Sequence, residues 1–228
     1  MQIIWLGHAG FRIEIENAVL LIDPWLTGNP LFPAERRAEA IRGATHVLLT
    51  HGHGDHTGDA ATIAGELGIP LVGIPEVVGL LKGDGKGIDF NKGGTVDLAG
   101  AKVTMVNATH SSSLMIDGKL VYAGTESGYV IAGEGHTIYL SGDTDVMADM
   151  KIIADLHAPD IGILAAGGHY TMDMARAAYA ARTFFDFRTV IPCHYRTFPL
   201  LAQDARVLKD GLPGVEVIEP EVLVPVTI

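Results

Sequence analysis

The sequence predicts an α/β fold in which two β-sheets pack together and helices cover their outer faces. Strand-like segments dominate the first part and the middle of the chain, where short β-branched or apolar runs are separated by turn residues. Helical segments intervene near the start and alternate with strands in the second half. Because each sheet must bury a face, this order favours paired sheets with helices outside.

The chain length suits a single domain. Its 228 residues, of which 48% are hydrophobic, suffice for one domain with a full core or for two fused half-domains that share a core. No low-complexity segment, charge run or linker divides the sequence. We therefore expect one domain over residues 1–228.

The N-terminal part is expected to contain three strands, a loop, a short helix and a fourth strand. In the second strand, Phe11, Ile13 and Ile15 alternate with charged residues, which indicates one solvated face. The fourth strand is apolar and leads directly into a cluster of His and Asp residues. The predicted strands are Ile3 to Leu6, Phe11 to Ile15, Val19 to Ile22 and His46 to Thr50, and the helix is Ala34 to Ile41.

The remaining elements follow from the same patterns. A helix from Thr57 to Leu67 is expected to end at Gly68 and Pro70. Further helices are expected at residues 76–82, 147–156, 172–185 and 200–209. Further strands are expected at residues 72–74, 95–98, 102–107, 120–123, 129–131, 137–140, 161–164, 189–191 and 222–226.

Composition restricts the partners that the chain is expected to have. The formal net charge of −11 repels a phosphate backbone, so no nucleic-acid partner is expected. The single cysteine, Cys193, excludes an internal disulfide and fits a reducing compartment. The N-terminus lacks a signal-peptide pattern, and no apolar run reaches the ~20 residues of a membrane span. We therefore expect a cytoplasmic protein with a small-molecule partner and no membrane partner.

The strongest chemical signal is a cluster of three His and one Asp at the end of the fourth strand. His51, His53, Asp55 and His56 carry ligand types that suit zinc, manganese or iron, and the intervening glycines let the backbone turn sharply. The alternative is a solvated polar loop. Packing these polar groups together without a bound partner is costly, and the preceding apolar strand should fix the loop. The cluster therefore predicts a metal site.

This cluster resembles the His-x-His-x-Asp-His signature of the metallo-β-lactamase superfamily. Its surroundings are similar to the subgroup of UlaG-like and UPF0173 metal-dependent hydrolases. The likeness extends over residues 5–199. It is carried by Trp5 to Phe11, Leu21 to Pro24, Thr50 to Asp59, Thr109 to Ser113, Tyr122 to Thr125, Ser141 to Thr144 and Pro192 to Pro199.

The resemblance implies a four-layer αββα sandwich of two mixed sheets and completes a two-metal site. It implies that His110 joins His51 and His53 at the first metal, that His194 joins Asp55 and His56 at the second, and that Asp143 bridges the two. Each of the added residues follows an apolar strand, and ligands at strand ends can converge on one rim. The implied cofactors are two divalent ions, with zinc favoured and manganese, iron or nickel as alternatives.

One further carboxylate is expected to support this site. Asp23 follows a strand, and in the family an Asp there supports the metal-binding loop. We expect Asp23 to orient a ligand His through a hydrogen bond. The alternative is an Asp that only shapes the turn before Pro24.

The ligand set indicates catalysis rather than a structural metal, because structural zinc sites are usually closed and rich in Cys. Two such metals lower the pKa of a shared water, and Asp55 is expected to steer its proton. The catalytic residues proposed from the sequence are Asp55, His8 and His169, and the candidates for the leaving-group proton donor are His8, His169, Tyr170 and Tyr195. For His8 the alternative is a backbone-partnered side chain, and for His169 a surface loop.

Two other kinds of nucleophile, a cysteine and a run of three serines, are not expected to act. Cys193 precedes His194 on an extended segment and should point away from the metals into the core. Ser111, Ser112 and Ser113 lack a base, because His110 is assigned to a metal.

The expected function is hydrolysis of a small ester, lactone or phosphodiester by water that the metals activate. Two alternatives remain open. One is a non-enzymatic binding or regulatory protein that keeps the metal site. The other is a di-iron oxidoreductase on the same fold, although the flavin domain of flavodiiron proteins is missing from this sequence. A homo-oligomer is an expectation from the family resemblance.

Overall fold

Two seven-stranded mixed β-sheets form the centre of the computed structural model, which describes residues 1–228. The first sheet has the spatial order β16-β1-β2-β3-β4-β5-β6, and strands β3 to β6 run parallel. Its strands are β1 (Gln2–Gly7), β2 (Gly10–Ile15), β3 (Ala18–Ile22), β4 (His46–Leu48), β5 (Leu71–Gly73), β6 (Gly87–Asp89) and β16 (Pro225–Thr227).

The second sheet has the order β15-β14-β13-β12-β11-β8-β7, with strands β12 to β15 parallel. Strands β9 (Ser113–Ile116) and β10 (Lys119–Tyr122) form a separate hairpin. The strands of the second sheet are β7 (Thr95–Leu98), β8 (Ala101–Asn107), β11 (Ser127–Gly133), β12 (His136–Leu140), β13 (Ile161–Ala165), β14 (Thr189–Cys193) and β15 (Glu216–Val217).

Seven α-helices and one 3-10 helix, at Ala34–Arg36, accompany the sheets. The amphipathic pattern is clearest in the helix Met174–Phe184, which buries a row of alanines and exposes Tyr179. The helices are α1 (Arg37–Ile41), α2 (Gly54–Thr57), α3 (Ala60–Leu67), α4 (Pro75–Leu81), α5 (Asp149–His157), α6 (Met174–Phe184) and α7 (Arg206–Gly211). None of them has the length and apolar composition that a bilayer-spanning helix needs.

One continuous apolar core joins the two sheets. In β2, Phe11, Ile13 and Ile15 are buried, whereas Arg12 pairs with Glu14 on the partly solvated face. The predicted alternation of this strand is therefore confirmed, as is the α/β sandwich of two mixed sheets with helices. The opposing sheets also share a polar contact, because the Tyr129 hydroxyl donates to the backbone oxygen of Leu49 over 2.6 Å.

Two predicted helices differ from the structure. The expected helix 57–67 is split into α2 and α3 at Asp59. The backbone N–H of Asp59 donates to Pro24 O, and its carboxylate accepts from the backbone N–H groups of Leu26 and Thr27. The expected helix 200–209 is confined to α7, because the preceding segment folds back through a 2.8 Å bond from Arg196 N to Ala202 O. The short strands β6, β9 and β15 were not predicted.

The polypeptide places the carboxyl ends of β3 and β4 opposite those of β12 and β14. Thr50, just after β4, accepts hydrogen bonds at its backbone oxygen from both the N–H and the hydroxyl of Ser127 at the start of β11. These contacts join the two sheets at one edge. Side chains that follow strands of either sheet therefore meet there.

Candidate metal centre

Four segments from distant parts of the chain deliver His and Asp side chains to this edge. The loop after β4 carries His51 to His56, and the segments after β8, β12 and β14 carry His110, Asp143 and His194. These side chains form groups whose nitrogen and oxygen atoms lie within 4.8 Å of one another. All seven residues that the sequence proposed as metal ligands are therefore brought together.

The first group consists of His51, His53 and His110. His51 Nε2 lies 2.9 Å from His53 Nδ1, and the His110 ring centroid is 5.1 Å from that of His53. Burial lowers the pKa of all three imidazoles, most strongly for the fully buried His51. Neutral rings keep the lone pairs that a cation requires.

Asp143 lies between this group and a second one formed by Asp55, His56 and His194. Its Oδ2 atom is 3.6 Å from His110 Nε2, 3.3 Å from His56 Nε2 and 3.1 Å from His194 Nε2. His194 Nε2 is also 3.7 Å from Asp55 Oδ2. One carboxylate oxygen thus faces ring nitrogens of both groups.

The donor atoms fit a pair of divalent cations. His56 Nε2 and Asp143 Oδ1 are buried and have no hydrogen-bond partner, which is costly unless another species satisfies them. Imidazole nitrogens and carboxylate oxygens suit zinc, manganese or iron, and no thiolate contributes. His51, His53 and His110 would hold one cation, Asp55, His56 and His194 the other, and Asp143 would contact both.

Asp23 fixes the orientation of His56 from outside the groups. Its Oδ2 accepts from His56 Nδ1 at 2.8 Å and from the Thr50 hydroxyl at 2.6 Å, and its Oδ1 accepts from Thr50 N at 2.8 Å. The same hydroxyl lies 2.9 Å from His51 Nδ1, so Asp23 and Thr50 together orient two rings. Hydrogen bonds to the outer nitrogen of a ligand His hold the ring and raise its basicity.

His8 contacts the second group rather than the cavity. It is fully buried, with Nε2 3.0 Å from Asp55 Oδ2 and Nδ1 2.8 Å from Thr197 Oγ1. Its ring centroid lies 3.9 Å from that of His194. Burial lowers the pKa of His8 to about 4. Although burial acts to raise the Asp55 pKa, the hydrogen bond from His8 and the nearby His56 hold that pKa well below its usual range.

The other proton-donor candidates occupy different environments. Tyr170 lines the cavity and is exposed, whereas the exposed His169 packs its ring edgewise against Tyr170 and does not line the cavity. Tyr195 is buried against Trp5, and burial raises its pKa to about 12. Of the four candidates, the structure therefore brings only Tyr170 to the open site.

The serines and the cysteine make structural contacts. Ser112 is buried, donates to Ala123 O and accepts from Gly52 N, which supports the metal-binding loop. Ser111 is exposed, with its hydroxyl 3.4 Å from His53 Nε2. Cys193 is buried, as predicted, and burial raises the pKa of its thiol well above the ordinary value.

The cavity over these His and Asp groups has a volume of about 430 Å³. Trp25 and Phe198 line it together with Tyr170, and neither was predicted from the sequence as a site residue. Both lie in irregular loops, so periodicity gives no signal for them. Only their position beside Asp23 and His194 in the chain could have indicated them.

Comparison with known proteins agrees with this geometry. A family model described as the Beta-lactamase superfamily domain matches residues 19–195. A UPF0173 metal-dependent hydrolase of Cereibacter sphaeroides is 72% identical over the full length of both chains. One of Paracoccus denitrificans is 69% identical over 99% of each chain.

A solved structure shows the same fold. Igni18, described as a novel metallo hydrolase from Ignicoccus hospitalis, is 34% identical, with a TM-score of 0.82 over 100% of this chain and 98% of that one. The seven His and Asp residues that the resemblance implied as metal ligands are among those that meet at the edge of the sandwich. The chain therefore belongs to the Beta-lactamase superfamily and, within it, to the UPF0173 family of metal-dependent hydrolases.

Proposed function

We propose that this chain hydrolyses a small ester, lactone or phosphodiester with two divalent cations, of which zinc suits the donor atoms best. The observation that carries the proposal is the position of Asp143, whose Oδ2 atom lies within 3.6 Å of ring nitrogens from both His groups. A single structural ion would not need a carboxylate between two sets of ligands. The opening above the groups is of a size for a small molecule.

Two cations at this site would lower the pKa of a shared water towards about 7 and polarise the substrate oxygen. The protein's own groups would position the reactants and move protons. Asp55 has a partly exposed carboxylate in the cavity, from which it would orient the attacking water. Tyr170, at the cavity wall, is the side chain that we propose as the proton donor to the leaving group.

A hydrolysis screen tests this proposal. Protein reconstituted with zinc or manganese is assayed with lactones, phosphodiesters and thioesters, and the same protein treated with chelator serves as the control. The expected result is turnover of at least one class that is lost with the metal and restored on reloading. Metal-independent turnover would contradict the proposal, as would fewer than two ions per chain in fully reconstituted protein.

A further inference from the structure

One wall of the cavity is aromatic. Trp25 and Phe198 stack with ring centroids 6.1 Å apart and planes 28° apart, and both side chains are partly exposed. Tyr170 extends this wall and is 54% exposed. No lysine or arginine lines the cavity, whose charged side chains are the carboxylates Asp55 and Asp143.

The loop that carries Trp25 is anchored to the metal-binding segment. The Asp59 carboxylate accepts hydrogen bonds from Leu26 N, Thr27 N and the Thr27 hydroxyl, at 2.7, 2.8 and 2.7 Å. Gly58 provides the space for the indole, because a Cβ there would lie 2.8 Å from Trp25 Cδ1. The indole is therefore held directly beside the helix that contains Asp55 and His56.

Phe198 is held next to Trp25 by its own loop. Its backbone oxygen accepts from Leu201 N at 3.0 Å and from Gln203 Nε2 at 2.9 Å. The neighbouring Thr197 is tied to His8, and the Phe198 ring packs edgewise against His8 at 5.8 Å. Both aromatic rings are thus fixed before any ligand arrives, which limits the entropy lost on binding.

We propose that Trp25, Phe198 and Tyr170 bind an apolar group attached to the scissile bond, and that the natural substrate is an uncharged carbonyl ester or lactone with an alkyl or aryl substituent. This inference rests on the proposed function and narrows its substrate class. Partly exposed, pre-ordered aromatic rings gain contact area when an apolar group covers them. A second phosphate or carboxylate on the substrate would find no cationic side chain in this cavity.

The dependence of kcat/KM on the acyl-chain length of the substrate tests whether the aromatic wall binds an apolar group. The metal-loaded protein is assayed with p-nitrophenyl acetate, butyrate and hexanoate, and with the half-ester of succinate as an anionic counterpart. We expect kcat/KM to rise about tenfold from acetate to hexanoate, the lower end of the effect of one methylene in an enclosed pocket. W25A and F198A should reduce this ratio to about twofold or less with an unchanged metal content. A ratio that is equal in wild type and both variants would overturn the proposal.

The matched control is Y179A. Tyr179 is 47% exposed on α6 and does not line the cavity, so its removal takes away a similar aromatic surface elsewhere and should leave the ratio unchanged. Preference for the succinate half-ester over the butyrate would also overturn the proposal, because it would require a cationic contact.

Binding without chemistry gives a second readout. The chain has two tryptophans, and Trp5 is only 1% exposed, so 1-hexanol that covers the wall should shift the emission of Trp25 to shorter wavelength, whereas ethanol should not. W25F should abolish the shift, and an undiminished shift in W25F would overturn the assignment. The titration uses metal-loaded protein and needs no turnover. If no ester, lactone or phosphodiester is hydrolysed, the proposed function fails, while this measurement still decides whether the wall binds apolar groups.

Discussion

The imidazole of His8 and the carboxylate of Asp55 are joined by a 3.0 Å contact between Nε2 and Oδ2, in a region where His8 is fully buried. A carboxylate only accepts hydrogen bonds, so Nε2 carries the proton, and Nδ1 lies 2.8 Å from the Thr197 hydroxyl oxygen. The lowered pKa of His8, about 4, keeps the ring neutral and maintains this arrangement. His8 therefore holds the Asp55 carboxylate in position without lining the cavity itself.

Replacing His8 by Ala should weaken the cation held by Asp55, His56 and His194. Without its hydrogen bond the Asp55 carboxylate is free to rotate, and losing such an outer contact typically lowers metal affinity about 10- to 100-fold. The first group, His51, His53 and His110, should retain its affinity because His8 does not belong to it. Competition with a chromophoric chelator measures both affinities.

Two further variants make the His8 experiment specific. T197V removes the hydroxyl that binds His8 Nδ1 and should give a smaller loss at the same cation. H136A removes a surface histidine paired with Asp160 and should change neither affinity. An equal loss at both cations in H8A would show a general structural effect instead.

Asp23→Asn should lower the free energy of unfolding by about 3 kcal/mol. In this variant an amide nitrogen, which is a donor, would face the two donors on His56 and Thr50 that now bind Asp23 Oδ2, so these hydrogen bonds would be lost. A hydrogen bond to a charged group contributes about 1.5–3 kcal/mol. Urea denaturation of the metal-free protein measures the change. E66Q, which breaks a surface ion pair with Arg37, is the control and should cost less than about 1 kcal/mol.

The convergence of the proposed ligand residues was predictable because their signals are local or follow strands. His51 to His56 form one short cluster, and the resemblance assigned His110, Asp143 and His194 to positions after apolar strands. Parallel strands end at the same edge of a sheet, so this placement brings the residues together. The strand alternation in β2 was equally predictable, because the core buries one face of it.

The resemblance predicted that Asp23 orients a ligand His, and Asp23 binds His56. Other contacts around these residues were not predictable, because they depend on contacts between loops. His8 lies 47 positions from Asp55 in the chain, and nothing local indicates that the two meet. The loop 200–205 has a helix-like composition, yet hydrogen bonds from Gln203 to Phe198 O and Leu201 O hold it in another conformation. Tertiary contacts of this kind override propensity.

Metal removal should lower thermal stability as well as abolish turnover. A ligand that binds only the folded state stabilises it, by about 2.7 kcal/mol when its concentration is 100 times its dissociation constant. The melting temperature should therefore fall on chelation and recover on reloading. D143A is the companion variant, because it removes the carboxylate between the groups. In an enzyme D143A should abolish turnover, whereas loss of stability with full turnover would contradict the assignment of Asp143.

Gly167→Ala should detach His194 from the site. A Cβ on Gly167 would lie 1.8 Å from His194 O and 2.9 Å from His194 C, so the backbone of one segment must move. Overpacking of this kind costs about 1–3 kcal/mol, and a contact with backbone should bring it close to the upper end. Because His194 is one of three ligands in its group, elemental analysis should show about one ion per chain instead of two.

The matched control is Gly65→Ala in the exposed part of α3. A Cβ on Gly65 meets no atom within 4 Å, and replacing a helical Gly by Ala should stabilise the protein by about 0.5–1 kcal/mol. Both variants add one methyl group, so their opposite effects would isolate the close approach of Gly167 to His194. If G167A kept two ions per chain and the wild-type stability, the backbone of His194 would not be held by this contact.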